Sequence, residues 1–358
     1  GEAEMDGAAD IVMVPDPDTF CLLPWTAEDT GGPSGWLLCD IYFPSGRSVP
    51  FSTRSVLANA VDCLGQAGYS YVAGVEVEFH VFKLEDPMLQ PEHSQQPSTP
   101  SKVSLIAHGY RYLVEQEYDE LDSLFQIIRE TLEQLGLPVR SMEAEFGPSQ
   151  FELTLQPEVG VKAADNMVLL RSAVKQVCRR NGYHATFMCR PAIPNLFSSG
   201  WHLHQSLRDI RSDKNALIPT SGDELLSDVG RHFVAGILEH AASSCVFTTP
   251  TINGYKRYLP YSLAPDRICW SPDNRAAMLR VIGGLNDPAT RVENRAGEPA
   301  ANPYLYFASQ IFTGLDGIKR ELEPPVPSNT PYLDDLQKLP TDLMSAISAL
   351  NSDDFLRN

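Results

Sequence analysis

The sequence predicts an α+β fold, because segments with the two-residue period of a strand alternate along it with segments of helical period. The strand-like segments pair charged residues at i and i+2, as in Glu76-Val77-Glu78 and Arg291-Val292-Glu293-Asn294-Arg295, so each would turn its charges to one face of a sheet. The helix-like segments are long enough to cover the opposite, apolar face. A length of 358 residues allows a large core and more than one domain.

Residues 1–49 read as three strands, over 9–14, 19–25 and 35–43, the last closed by the turn Pro44-Ser45-Gly46. Three strands alone make a poor domain. They predict the remainder of a larger sheet, with a boundary at 49/50 and a second, larger domain over 50–358. The abrupt first residues and the uncapped end at Asn358 predict that residues are missing at both termini. A helix follows over 53–68, with Val56, Leu57, Ala60, Val61 and Leu64 on one side and Gly68 at its end. Residues 72–82 form a strand with Glu76 and Glu78 on one face and valines with Phe79 on the other. The Pro-, Ser- and Gln-rich stretch 85–105 has no period and predicts a mobile loop.

An amphipathic helix over 119–135 is closed by Gly136 and Pro138. Two short strands then flank Gly147-Pro148. Glu145 and Glu152 differ in parity, but the turn between them reverses the chain, so both can face one cavity. A helix over 163–180 leads to a buried strand at 186–189 and then to Ser198-Ser199-Gly200-Trp201-His202-Leu203-His204-Gln205-Ser206. Here His202 and His204 share a strand face, and the small residues before them let a substrate approach the backbone. A helix over 228–242 precedes the loop 253–265, which holds Lys256, Arg257 and three tyrosines between a glycine and two prolines. Arg275, Arg280, Arg291 and Arg295 follow, then helices over 303–319 and after Pro340. No internal repeat is visible.

The formal net charge of −18 disfavours nucleic acid and anionic membrane as partners, while leaving room for anionic substrates where arginines gather. Seven cysteines, widely spaced and without a CxxC pair, argue against a disulfide framework or a thiolate zinc site and suit a cytoplasmic setting. No apolar run approaches membrane-spanning length, and no signal peptide is visible.

The chemistry lies in the carboxylates Glu76, Glu78, Glu145, Glu152 and Glu293 together with His202. Oxygen donors with one imidazole and no thiolate suit Mg²⁺ or Mn²⁺. Buried carboxylates in such number cannot ionise side by side without counter-charge, which two divalent cations supply. Arg257, Arg275, Arg280, Arg291 and Arg295 suit phosphate and carboxylate. Metals and arginines around one cavity point to phosphoryl transfer from a nucleotide, and with no GxxxxGK[ST] loop the chain is not a P-loop enzyme.

The ordered set Glu-x-Glu-Phe, Glu-x6-Glu around Gly-Pro-Ser-Gln, Ser-Gly-Trp-His-x-His-Gln-Ser, Asn-Gly-Tyr-Lys-Arg, Asn-Arg-x-Ala and Arg-x-Glu-x-Arg with Ala-Asn-Pro-Tyr-Leu resembles the glutamine synthetase family over nearly the whole chain. The resemblance implies a partial N-terminal β-grasp sheet, a catalytic domain of curved antiparallel strands flanked by helices, and a ring-shaped, dodecamer-like homo-oligomer with active sites at subunit boundaries. It implies one metal on Glu78, Glu145 and Glu152 and another on Glu76, His202 and Glu293. It implies ATP contacts from His204, Ser206, Arg275, Arg280 and Arg291, and glutamate contacts from Arg257 and Arg295. Among these arginines, Arg257, Arg275 and Arg295 are the expected catalytic residues. The family activates L-glutamate with ATP as γ-glutamyl phosphate, which an amine then opens.

Two departures from the family pattern bear on the amine, and a third on how the glutamate backbone is held. Leu263 stands where ammonia-using members carry the glutamate that deprotonates ammonium. Asp6-Gly7-Ala8-Ala9 does not match the family's ammonium-holding Asp-Gly-Ser-Ser loop. Phe197-Ser198 replaces the usual Asn-Gly. Alkylammonium groups, with a pKa near about 10.4 as in lysine, need a base before attack, whereas an arylamine is already neutral. Leu263, Phe197, Tyr258 and Tyr261 therefore predict an apolar amine pocket, and Ser198 is an expected substrate contact in the segment that holds the glutamate backbone. The expected activity is that of a γ-glutamyl-amine ligase favouring an aromatic or apolar amine, resembling the γ-glutamylanilide and γ-glutamylpolyamine synthetase branch. The competing readings are a polyamine or alkylamine ligase, an ammonia-using glutamine synthetase and a structural pseudoenzyme of the same fold.

Overall fold

The computed structural model describes residues 3–7, 9–26, 31–333 and 335–357. Ala8, in the segment compared with the ammonium loop, and Asn358, at the uncapped end, lie outside the described residues. Near the N-terminus, β1 (Val12–Pro15) pairs antiparallel with β4 (Cys39–Tyr42), and β2 (Cys21–Leu23) with β3 (Ser34–Trp36). The strand expected over 35–43 is thus two strands, each with its own partner. At the break, Leu38 gives its N–H to Thr19 Oγ1 (2.8 Å) and its carbonyl accepts from the Asp16 N–H (2.9 Å). The strand expected over 19–25 stops at Leu23, because Pro24 has no N–H to donate and opens a 3₁₀ turn.

α1 (Thr53–Gln66) buries Leu57, Ala60 and Leu64, and its N-terminus carries Arg54. That guanidinium contacts Asp16 (2.5 Å), Asp40 (2.9 Å) and Asp165 (3.0 Å), so it ties the N-terminal strands to α1 and to α3 (Lys162–Arg180).

The sheet that matters for function is built around β5 (Tyr69–Asp86). It is longer than expected, and its far end continues into the stretch read as a loop, where β6 (Lys102–Ser104) pairs back onto it. The main strand order is β12-β13-β14-β11-β5-β8-β7, comprising β7 (Val139–Ala144), β8 (Gln150–Leu155), β11 (Trp201–Asp209), β12 (Trp270–Pro272), β13 (Leu279–Ile282) and β14 (Arg291–Gly297). β9 (Glu158–Val159) and β10 (Tyr183–Thr186) also pair with β5. Every pairing is antiparallel except β12 with β13. The buried strand expected at 186–189 is in fact β10, which ends at Thr186. Phe187 leaves the ladder and stacks on Phe79 at 5.0 Å.

One face of β5 carries Val75, Val77, Phe79 and Val81, all buried. They share a core with Leu121 and Phe125 of α2 (Glu115–Gln134), Met167 and Leu170 of α3, and Phe307 of α6 (Pro303–Arg320). α4 (Asp228–Glu239) lies against α6 with Gly236 facing Gly317. A Cβ on Gly317 would come within 2.6 Å of the Gly236 nitrogen, so neither position has room for a side chain. The helix expected over 228–242 ends at Glu239 and is followed by a second one, α5 (Ala241–Thr248). α7 (Leu343–Asn351) begins at a capping box on Asp342, as the pattern after Pro340 implied. Among the described residues no helix is long and apolar enough to cross a membrane.

Candidate active site

Strand register assembles the site. Glu76 on β5 lies opposite His202 on β11, and Glu78 lies opposite Glu152 on β8. His204 lies opposite Glu293 on β14, which in turn lies opposite Arg280 on β13. Alternation then puts all of these on the face of the sheet away from the apolar core. Glu145 follows β7 directly. Its N–H donates to the Gln150 carbonyl (2.8 Å) across the Gly147-Pro148 turn, which brings it beside Glu152 despite the difference in parity.

A cavity of about 1490 Å³ opens over this face. It is lined by Glu76, Glu78, Glu145, Glu152, His202, His204, Ser206, Arg257, Arg275, Arg291, Arg295, Phe197, Ser198 and Leu263. Four of the expected residues do not line it. Glu293 is fully buried beneath the floor, where it accepts from Arg280 (3.0 Å) and Arg295. Arg280 was expected to meet phosphate, but its guanidinium is committed to Glu293 and to Asp273 (3.0 Å). Tyr261 was expected in the amine pocket. It is 74% exposed, sits at a left-handed φ of 58° and packs its ring on Tyr332 at 5.0 Å. Tyr258 also belongs elsewhere: its hydroxyl bonds Thr249 (2.5 Å) and the Ala296 carbonyl (2.8 Å) within the core.

Hydrogen bonds orient both imidazoles. His202 donates from Nδ1 to Glu76 Oε1 (2.6 Å) and accepts at Nε2 from Arg257 (3.3 Å). His204 donates from Nε2 to Glu76 Oε2 (2.9 Å) and accepts at Nδ1 from Arg291 (3.1 Å). Burial, reinforced by Arg295, holds His202 down at about 4. Arg257 reaches this position only because residue 200 is glycine, since a Cβ there would overlap the guanidinium. Its other nitrogen donates to the Arg295 carbonyl (2.7 Å). Arg295 in turn reaches the Leu263 carbonyl (3.4 Å), so Leu263 and the arginine pair form one edge of the cavity.

The carboxyls are strongly perturbed. Burial and the neighbouring Glu145 push Glu78 up to about 8. Burial and the charges of Glu76, Glu78, Glu145 and Glu143 push Glu152 up to about 11. Glu145 is raised by burial, against the pull of the Phe146 N–H that it accepts (2.7 Å). Glu76 and Glu293 go the other way. Burial opposes their ionisation, but His202 holds Glu76 down and Arg295 holds Glu293 down. Coulomb repulsion and desolvation thus forbid all of these groups from ionising together unless positive charge is added among them.

Divalent cations fit that requirement, and the hard oxygen donors with imidazole fit Mg²⁺ or Mn²⁺. Donor atoms of Glu76, Glu152 and His202 lie within 4.8 Å of one another, as do those of Glu76, His204 and Glu293. These two groups share Glu76 and bring in His204, whereas the motif order grouped Glu78 with Glu145 and Glu152, and His202 with Glu76 and Glu293.

Sequence reasoning missed several participants. Glu143 lines the cavity and lies opposite Glu152; its shared parity with Glu145 was the available signal. Gln150 gave none. Its amide donates to Glu78 Oε2 (3.0 Å) and Ser199 Oγ (3.0 Å) and accepts from the Gly147 N–H (2.9 Å). Glu78 Oε2 also accepts from the Gly200 N–H (2.8 Å), leaving the other oxygen turned toward His202 Nε2 at 3.6 Å. Arg190, also missed, holds the Ser198 hydroxyl at 3.3 Å.

The model of the glutamine synthetase catalytic domain matches residues 50–358. A γ-glutamylanilide synthase from an Acinetobacter species is 46% identical over 98% of this chain and 70% of its own length. The glutamine synthetase of Thermotoga maritima is 34% identical over 97% of this chain and 77% of its own. Among solved structures, a glutamine synthase homologue superposes with a TM-score of 0.80 at 25% identity, covering 98% of this chain and 77% of that one. A structure described as a GmaS/ADP complex gives 0.79 at 29% identity, covering 97% and 77%.

Proposed function

Because the chain belongs to the glutamine synthetase family, we propose that it is an ATP-dependent ligase joining the γ-carboxylate of L-glutamate to a primary amine, with an aromatic or otherwise apolar amine favoured. The observation that carries this reading is the convergence, over one cavity, of Glu76, Glu78, Glu145, Glu152, His202, Arg257, Arg275, Arg291 and Arg295, with Leu263 rather than a carboxylate at the edge beside Arg295. The name of the Acinetobacter relative supports the amine class.

The reaction is a two-step exchange. A γ-carboxylate oxygen attacks the terminal phosphorus of ATP and ADP leaves. The amine nitrogen then attacks the γ-carbonyl carbon of the γ-glutamyl phosphate, releasing phosphate and a proton. Glu78, Glu145 and Glu152 would hold one Mg²⁺ or Mn²⁺, and Glu76, His202 and Glu293 the other. Bound there, the cations would neutralise charge between the carboxylate and the phosphates. Arg257 and Arg295 bind the carboxylates of glutamate. Arg275 and Arg291, with His204 and Ser206, meet the nucleotide. Arg280 acts indirectly, by holding Glu293 in place.

A second reading has one observation in its favour. Among the described residues the Glu143 carboxylate has no hydrogen-bond donor or cation partner, yet it lines the cavity. That carboxylate would suit a cationic alkylamine. An amine panel separates the two readings: phosphate release dependent on ATP, glutamate and amine, measured with aniline, methylamine and ammonia. The first reading requires aniline to give the highest kcat/KM, and ammonia matching aniline would remove it.

The strands of residues 1–49 suit a β-grasp unit, and the family points to a ring-shaped, dodecamer-like homo-oligomer, which light scattering would size. None of the seven cysteines forms a disulfide among the described residues, which suits a reducing, cytoplasmic setting.

A further inference from the structure

One side of the cavity is a connected aromatic wall. Tyr110 stands edge-on to Phe146, with centroids 5.4 Å apart at 87°, and Phe146 stands edge-on to Phe197 at 5.3 Å and 84°. Phe146, Phe197 and Tyr112 all line the cavity, as does Leu263. The wall starts at the acidic cluster itself, since Phe146 follows Glu145 and donates its own N–H to that carboxylate (2.7 Å).

The backbone holds this wall still. The Tyr110 N–H donates to the Phe146 carbonyl (2.6 Å), and the Tyr110 hydroxyl to the Asn195 carbonyl (2.8 Å). Ser149 Oγ accepts from the N–H groups of Ile106 (2.9 Å) and Ala107 (3.3 Å). Gly109, at φ +67°, lies so close to Gly147-Pro148 that a Cβ would overlap their backbone. A Cβ on Gly147 would likewise fall 2.7 Å from that of Phe197. The segment carrying Tyr112 is therefore clamped to the turn between β7 and β8. Tyr112 nevertheless remains 52% exposed at the cavity. Its phenol is pushed up to about 12 by burial and by Glu145, Glu143 and Glu152, so it meets the acidic end as a neutral O–H.

Resting on the ligase reading above, we propose that Tyr112, Phe146 and Phe197 form the slot that takes the ring of an aromatic amine. Tyr112 is the residue that sets preference for arylamines over ammonia and short alkylamines. Aromatic rings meet favourably edge-to-face, and the electropositive edge of an aryl substrate suits the carboxylates at the end of the slot. A methyl group or a bare ammonia molecule gains almost nothing from the same wall.

The test compares wild type, Tyr112→Ala and Tyr112→Phe with aniline and methylamine, each with saturating ATP, glutamate and Mg²⁺. Tyr112→Ala should lower kcat/KM for aniline about tenfold, mainly through KM, the loss of roughly one aromatic pair. Its kcat/KM for methylamine should stay within about twofold, with the KM for glutamate and the melting temperature unchanged. Tyr112→Phe should keep the aniline preference, because the ring and not the hydroxyl carries it. If wild type uses aniline but Tyr112→Ala keeps the same aniline-to-methylamine ratio, the slot is wrong and the ligase reading stands. If wild type forms no γ-glutamyl amide with aniline, methylamine or ammonia, the ligase reading falls and the slot with it.

Discussion

Replacing Gln150 by Leu removes a single amide that touches neither substrate nor cavity, yet it should weaken metal binding. In the structure one oxygen of Glu78 accepts from Gln150 (3.0 Å) and Gly200 (2.8 Å), which fixes the plane of the carboxylate and leaves the other oxygen turned toward His202. A hydrogen bond to a charged group is worth about 1.5–3 kcal/mol, and loss of a group that orients a metal ligand costs about 10–100-fold in affinity. Leucine also strands the Gly147 N–H, which Gln150 Oε1 accepts (2.9 Å), so the Glu145 turn should loosen too. Mn²⁺ binding, measured by calorimetry on folded protein in the absence of nucleotide, should weaken by about 10–100-fold. Gln150→Glu, which puts a further carboxylate against Glu78, should restore none of it. Unchanged Mn²⁺ affinity in a folded Gln150→Leu protein would refute the argument that Gln150 orients Glu78.

Four further outcomes are expected. Leu263→Glu should shift amine preference toward ammonia, read as the ratio of kcat/KM for ammonia to that for aniline; an unchanged ratio would mean that Leu263 does not face the amine. Arg295→Ala should raise the KM for glutamate more than that for ATP or amine, and a change in amine preference alone would contradict its assignment. Arg54→Met should destabilise the fold by about 3 kcal/mol in denaturant titration, because it leaves Asp16, Asp40 and Asp165 without their shared partner. The raised carboxyls set a pH dependence. Glu78 and Glu152 titrate near 8 and 11 in the folded chain against 4.5 as free side chains, so stability present below about pH 4.5 is lost as pH rises toward those values. Metal-free protein should therefore melt lower at pH 9 than at pH 6, and saturating Mg²⁺ should shrink the difference.

The site was legible in the sequence where alternation decides orientation. Glu76 and Glu78 on β5, His202 and His204 on β11, and Glu293 on β14 share a face for the reason that the pattern implied. Elsewhere periodicity carried too little. α5 reads Ala-Ala-Ser-Ser-Cys-Val-Phe-Thr, small residues largely enclosed by protein, and a helix without a polar side leaves no amphipathic stripe. Thr186–Cys189 is apolar without alternating, so its length and position in the ladder were open. The fate of Tyr261 turned on a left-handed backbone that its side chain does not announce. Arg280 was read by charge and by motif resemblance, and neither reveals that Asp273 and Glu293 already occupy it. Gln150, quoted only within a motif, had no role assigned because a glutamine beside a turn is commonplace until the register brings Glu78 next to it.

The most direct measurement follows an oxygen atom. With glutamate labelled by heavy oxygen in its γ-carboxylate, a ligase that passes through γ-glutamyl phosphate must deliver one labelled oxygen to the released phosphate for each amide formed. Labelled phosphate appearing in step with γ-glutamylanilide, and only when ATP and a divalent cation are present, is the result expected. Unlabelled phosphate, with amide still forming, would contradict an acyl-phosphate route through this cavity.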